Sequence, residues 1–180
     1  QTTFNIFKII FAYIIYWFDS FILGVIPFVL LYSIFFQDLE ITQNITELPY
    51  PYSILAGIMA IIIYLAYFIF VPLKIYPGQT FAKKIMNIQV VKEDDSYVDF
   101  ITLLKREAIG VMIVEGYIAA SSSYFHQMIN IFIGKDLNDI YVYVFGIITA
   151  LSMLWACALP KRKMFHDYIA GTKLSIVVED

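Results

Sequence analysis

The sequence predicts an all-α membrane protein: four transmembrane helices, amphipathic helices at the cytoplasmic interface and a short two-stranded β pairing beneath them. Three observations carry that expectation. Hydrophobic residues make up 61% of the 180-residue chain and charged residues 15%, against roughly 45–50% and 25% in soluble domains, and mean hydropathy is +0.76. Four stretches are apolar enough to cross a hydrocarbon core about 30 Å thick, which takes about 20 residues. Every Lys and Arg except Lys135 falls on one side of the arrangement those stretches define, the asymmetry that sets membrane orientation.

The spans are expected at about 6–36, 53–73, 108–133 and 140–159, within a single domain covering 1–180. The first carries only Lys8 and Asp19 as charges, and its Gly24 and Pro27 predict a tilt or kink. The second carries no charge, and the third is interrupted only by polar residues and Glu115. The loop 37–52 has Asp38, Glu40 and Glu47 but no Lys or Arg, and the loop 134–139 sets Lys135 against Asp136 and Asp139. The segments 74–107 and 160–180 hold most of the basic residues and form the collar. Both termini are therefore expected in the cytoplasm, with the chain multi-pass in a bacterial inner membrane. Nothing before Ile6 resembles the basic start of a signal peptide. The lone Cys157 excludes an intrachain disulfide and reads as a small buried apolar side chain. Asn44-Ile45-Thr46 has the form of a glycosylation sequon, which has no meaning in a bacterium.

The collar is patterned. Pro77-Gly78 marks a turn, and Thr80 is placed to cap a short helix whose Phe81, Ile85 and Ile88 share a face. Lys83 and Lys84 fall off that face and are expected to meet anionic lipid phosphates. Ser96 and Asp99 resemble a capping box ahead of a second helix with Val98, Ile101 and Leu104 on its apolar side. A third helix is expected over 161–170, ended by Gly171. Segment 89–94 and the similar segment 175–180 are expected to pair as strands.

These collar residues carry a family resemblance. Gly78-Gln79-Thr80-Phe81-Ala82-Lys83, followed by Ile88-Gln89-Val90-Val91, resembles the G-x-T-x-G-K…V-V stretch of the RDD family of small bacterial membrane proteins. Arg106 looks like the arginine this family places ahead of a span, and His166-Asp167-Tyr168-Ile169-Ala170-Gly171-Thr172 is similar to its H-D-x-x-A-G-T motif. The resemblance implies a polytopic inner-membrane protein suspected of transport, with cation/proton antiport proposed for some members. It also implies an arginine and an aspartate in the first span. Here Lys8 is the only basic residue near that span, Tyr16 takes the aspartate's position, and Asp19 follows one turn later. Ala82 replaces the family's second glycine.

Glu115, Ser122 and His126 are spaced by seven and four and are expected on one helical face, continued by Asn130. A charge near the bilayer centre costs about 2.5–3.5 kcal/mol on insertion scales, so it faces the bundle interior. Asp19 and Glu115 are expected at neighbouring depths, with His126 near the outer surface. Two carboxyls below a histidine suit an ion or proton path. Structural readings stand beside it: Glu115 bonded to Tyr or Ser across an interface, Asp19 paired with Lys8 or Lys105, and His126 at a wet interface. His166 and Asp167 are helix neighbours that do not face each other, so Asp167 is expected to accept from Arg106, Lys83 or backbone amides and tie the tail to the central loop. No phosphate loop, zinc-spaced Cys/His set, nucleophile elbow or dinucleotide fingerprint is present. No enzyme activity, cofactor, metal or nucleic acid is expected. Two function classes remain: a transporter assembled as a homo-oligomer, or an accessory subunit or toxin-immunity protein of a membrane complex.

Overall fold

The computed structural model describes residues 6–36, 44–117 and 119–177. Asp38 and Glu40, the last residues of the expected second strand and the Lys8 side chain lie outside what is described.

Helix α1, Ile6–Phe36, is continuous and contains Pro27. Helix α2, Tyr52–Leu65, runs on as a π-wound stretch, Ala66–Ile75, that contains Pro72. Proline cannot donate to the ladder, and the wider winding carries the chain past it: Tyr76 N donates to Val71 O at 2.9 Å and Gly78 N to Pro72 O at 2.8 Å. Before α2, Ile45 is fully buried and its amide donates to Gln127 Oε1 at 2.8 Å. This pins the short turn ahead of α2 to the bundle.

In the collar, Thr80 caps α3, Phe81–Ile85, as expected. Strand β1, Ile88–Lys92, follows. Helix α4, Phe100–Leu104, is capped by Asp99, which accepts from Thr102 N at 2.8 Å. The expected capping box from Ser96 does not form, because Ser96 bonds to Asp94. A π-wound stretch, Lys105–Glu115, continues α4. Helix α5 covers Ala120–Ile133, α6 Asn138–Ala158 and α7 Phe165–Ala170. Helix α7 is shorter than the expected 161–170. Strand β2, Thr172–Ile176, pairs antiparallel with β1 from Ile88↔Ile176 to Lys92↔Thr172. The expected strands do pair, with the tail strand beginning three residues earlier.

Among the described residues, three unbroken helical runs are long and apolar enough to span a membrane: Ile10–Phe35, Tyr52–Ile75 and Asn138–Ala158. The third crossing is a pair, Phe100–Glu115 and Ala120–Ile133, meeting at 59°. The expected continuous helix over 108–133 is thus broken, and Glu115 does not share one helical face with Ser122 and His126. The cause is local. Gly116 adopts φ +61°, a left-handed conformation that ends helices and that glycine enters without penalty. The amide of Ala120 is free to restart the chain as α5, and Ser20 of α1 accepts its hydrogen at 2.9 Å.

Small residues let the helices close up: Ser20, Ala56 and Ala60 are buried, and Gly24 lies against Tyr124 and Ala120. Phe28, Ile45, Tyr124 and Met128 fill one core, and Tyr16, Tyr64, Phe68 and Val111 a second. Large apolar side chains such as Ile34, Leu154 and Trp155 point outward, where acyl chains serve as solvent. Cys157 is exposed and not buried. Helix α7 presses on the Lys105–Glu115 stretch at Gly110, where a Cβ would lie 2.5 Å from His166 Cβ and 2.7 Å from its Cα. A backbone atom cannot swing away. Gly110→Ala is expected to cost about 1–3 kcal/mol, as overpacking does, and to open the 161–163 segment to trypsin. Gly146→Ala, with no atom within 4 Å of the new methyl, is expected to gain up to about 1 kcal/mol. Thermal unfolding in detergent compares them, and equal midpoints would refute the packing assignment.

Candidate functional site

The polar residues of two separated segments, 106–107 and 166–167, meet at one guanidinium. Arg106 is 2% exposed. Its Nε donates to Asp167 Oδ1 at 3.2 Å, its Nη1 to Glu107 Oε1 at 2.7 Å, and its Nη2 lies 2.7 Å from His166 Nε2. A planar fork with donors on three edges can serve three partners at once, which a lysine ammonium on a flexible stem does less well. Asp167 also accepts from Met164 N at 3.2 Å and Thr172 Oγ1 at 3.0 Å. Burial pushes the Asp167 carboxyl up; the facing His166 and Arg106 and these two hydrogen bonds outweigh it and hold it below the usual range.

Glu115 is 1% exposed and turned into protein. Both its carboxylate oxygens lie 3.0 Å from His166 Nδ1. Oε1 also accepts from the His166 amide at 3.2 Å and from Ser152 Oγ at 2.7 Å. The helix end at Gly116 frees the Glu115 carbonyl, which accepts from Thr149 Oγ1 at 2.8 Å. Thr149 and Ser152 are the buried residues of α6, and both bond to Glu115. His166 Nδ1 carries its hydrogen toward Glu115. Its Nε2 stands between a donor, Arg106, and the Asp167 Oδ2 acceptor at 3.5 Å.

The far side of Arg106 continues through Glu107, 2% exposed, whose Oε2 accepts from Tyr16 at 2.8 Å and Tyr64 at 2.9 Å. The two hydroxyls also contact each other. Lys83 lies 5.3 Å from the centre of the Tyr16 ring and is 8% exposed. It therefore does not reach lipid phosphates; Lys84, the exposed member of the pair, lies over Tyr76 at 3.7 Å. Burial, with help from the Arg106 charge, pushes the Lys83 ammonium down to about 8. A cavity of about 20 Å³ touches Tyr13, Tyr16, Lys83, Arg106, Glu115 and His166.

A model of the RDD family matches residues 6–171. The chain belongs to the RDD family. Comparison with curated proteins and with solved structures finds no match. The RDD motifs noted in the sequence build this one cluster. Gly78 O accepts from Val90 N at 2.7 Å and seats β1; Thr80 caps the helix that turns Lys83 inward; Gly171 ends α7, and Thr172 holds Asp167. Tyr16, at the position the RDD resemblance gives to an aspartate, reaches a carboxylate supplied by Glu107 on another helix.

The remaining candidates from the sequence lie apart from this RDD cluster. Asp19 is half-buried and accepts from Tyr67 at 3.3 Å. Ser122 Oγ contacts Val111 O at 3.5 Å. His126 is stacked between Tyr141 and Phe145, with centroids 4.4 and 4.5 Å away, and faces a cavity of about 260 Å³ shared with Trp17 and Asn138. Ser122 and His126 keep one face of α5, but Glu115 is separated from them by the break. The expected tie between Asp167 and Arg106 is present, while Glu107, Tyr13, Tyr64 and Ser152 join the cluster with no motif to announce them. Among the described residues no three His, Cys, Asp or Glu side chains are grouped to hold a metal ion.

Asp167→Asn leaves a buried guanidinium short of a charge and is expected to cost about 3–5 kcal/mol, measured by thermal unfolding in detergent. The depressed carboxyl stabilises the fold fully above the free value of about 4 and loses that contribution only as pH falls through its lower folded value. For Lys83 the sign is opposite. Its folded value lies below the free one, so its charge opposes folding below pH 8, and the opposition fades toward the free value of 10.5. NMR titration of methyl-labelled lysines should show a transition near pH 8 that Lys83→Arg removes; no transition between pH 7 and 9 would contradict the burial.

Proposed function

We propose that the protein moves a cation or a proton across a bacterial cytoplasmic membrane, with both termini cytoplasmic and Asp19 and Glu115 as the working carboxylates. The single supporting observation is the small cavity against Glu115, His166 and Lys83. At about 20 Å³ it has room for one water or small ion. Charge accounting points the same way. Arg106 and Lys83 face the carboxylates of Glu107, Glu115 and Asp167, so these groups balance only when a proton or another cation enters. A proton and a cation competing for that place is the simplest antiport chemistry. Four crossings enclose little volume, which favours a homo-oligomer. His126 and Ser122 would line the outer half of the path.

A second reading is an accessory subunit or toxin-immunity protein. Helix α6 favours it, since its outward face is a run of large apolar side chains, Ile140 to Trp155, suited to a partner helix. Proteoliposome flux separates the two. The transport reading expects pH-dependent sodium or potassium flux that falls to background in the Glu115→Gln, Asp19→Asn double variant. Asp19→Asn alone probes the path without disturbing the Arg106 cluster. Flux indifferent to both substitutions sinks the mechanism. Absence of flux together with a stoichiometric partner in mild detergent supports the second reading.

A further inference from the structure

Helices α1 and α6 stand apart, and a cavity of about 570 Å³ lies between them. Ile10, Ile14, Trp17, Ala150, Met153 and Arg162 line it, so its wall is apolar except at one end. The volume is that of a small-ligand site, and the groove is open along one side, where Ile10, Ile14 and Trp17 are exposed. Gly146 opens onto this space: an added Cβ there would meet no atom within 4 Å. An apolar wall gives water too few partners to hold it there. An empty gap would forfeit the dispersion contacts of everything around it. In a bilayer the available filling is an acyl chain.

Two features narrow the occupant. Along α6 the cavity runs from Gly146 to Cys157, about 16 Å at 1.5 Å per residue. That is about half of the 30 Å hydrocarbon thickness, hence the depth of one leaflet and too short for a crossing helix of a second copy. Arg162 stands just past the C-terminal end of α6, on the collar side, where a phospholipid of that leaflet carries its phosphate. Exposed Lys161 precedes it. A guanidinium pairs with phosphate through two parallel hydrogen bonds.

We propose that the groove between α1 and α6 binds one anionic phospholipid of the collar-side leaflet, its acyl chain on Trp17 and Met153 and its phosphate at Arg162. The bound chain also rests on Tyr13, which lines both this groove and the small cavity of the Arg106 cluster. The lipid thereby closes the buried charges off from the bilayer.

Trp155→Phe leaves Trp17 as the sole tryptophan and a reporter inside the groove. The protein is placed in phosphatidylcholine vesicles containing a minor fraction of phosphatidylglycerol, with brominated chains on one lipid or the other. Brominated phosphatidylglycerol is expected to quench Trp17 at about fivefold lower mole fraction, the factor one cation near an anionic lipid supplies. Arg162→Gln should make the two lipids equal quenchers, and Gly146→Leu, which fills the groove, should weaken quenching by both. Equal quenching in the parent protein, a preference that survives Arg162→Gln, or quenching unmoved by Gly146→Leu overturns the proposal. So does a Cys157–Cys157 cross-linked dimer with Trp17 shielded from both lipids, which places a second copy in the groove.

Discussion

A guanidinium deprived of water must find its partners in the protein, and that requirement organises this molecule. Arg106 is buried at the base of a helix bundle, so each edge of its fork has to meet an acceptor. The acceptors come from α7 and from its own helix, where Glu107 in turn accepts from tyrosines on α1 and α2. Satisfying one side chain thus fixes the relative positions of α1, α2, the third crossing and the tail. The short β1–β2 ribbon, marginal alone, is held because α7 is anchored beside it.

The break at Gly116 complements this. Ending a helix inside a bilayer leaves polar backbone groups without water. Here Thr149 answers the freed Glu115 carbonyl and Ser20 the Ala120 amide. The same break lets the Glu115 side chain reach His166. Backbone irregularity and buried charge are found together, the arrangement expected where non-helical backbone is enclosed by protein.

Much of the architecture is legible in the sequence because its signals are local. Apolar runs mark the crossings, basic residues the collar, and Thr80, Gly171 and the similar segments near 89 and 175 the collar's parts. The expectation that Asp167 accepts from Arg106, Lys83 or backbone amides follows from the rule that a buried acid needs a partner, and Arg106 and the Met164 amide fill it. What escapes has no local signal. A lone Gly116 in an apolar run looks like a packing residue, so the helix through Glu115 reads as continuous. Glu107 beside Lys105 and Arg106 looks like the membrane surface. Tyr16 and Tyr64 are two among fourteen tyrosines. Lys83 reads as outward because Phe81 and Ile85 define an apolar face; that face does point outward, to lipid, and the lysine is the side turned in.

The docking of α7 has a consequence for how the chain is made. Arg106 enters the membrane region during synthesis about sixty residues before His166 and Asp167 exist. Through that interval its fork lacks two of its partners. Completion of the tail is therefore the event that fills the fork, and a chain halted after α6 keeps Glu107 on Nη1 but leaves the Nε and Nη2 edges without their partners, a mark by which membrane quality control can sort unfinished copies from finished ones.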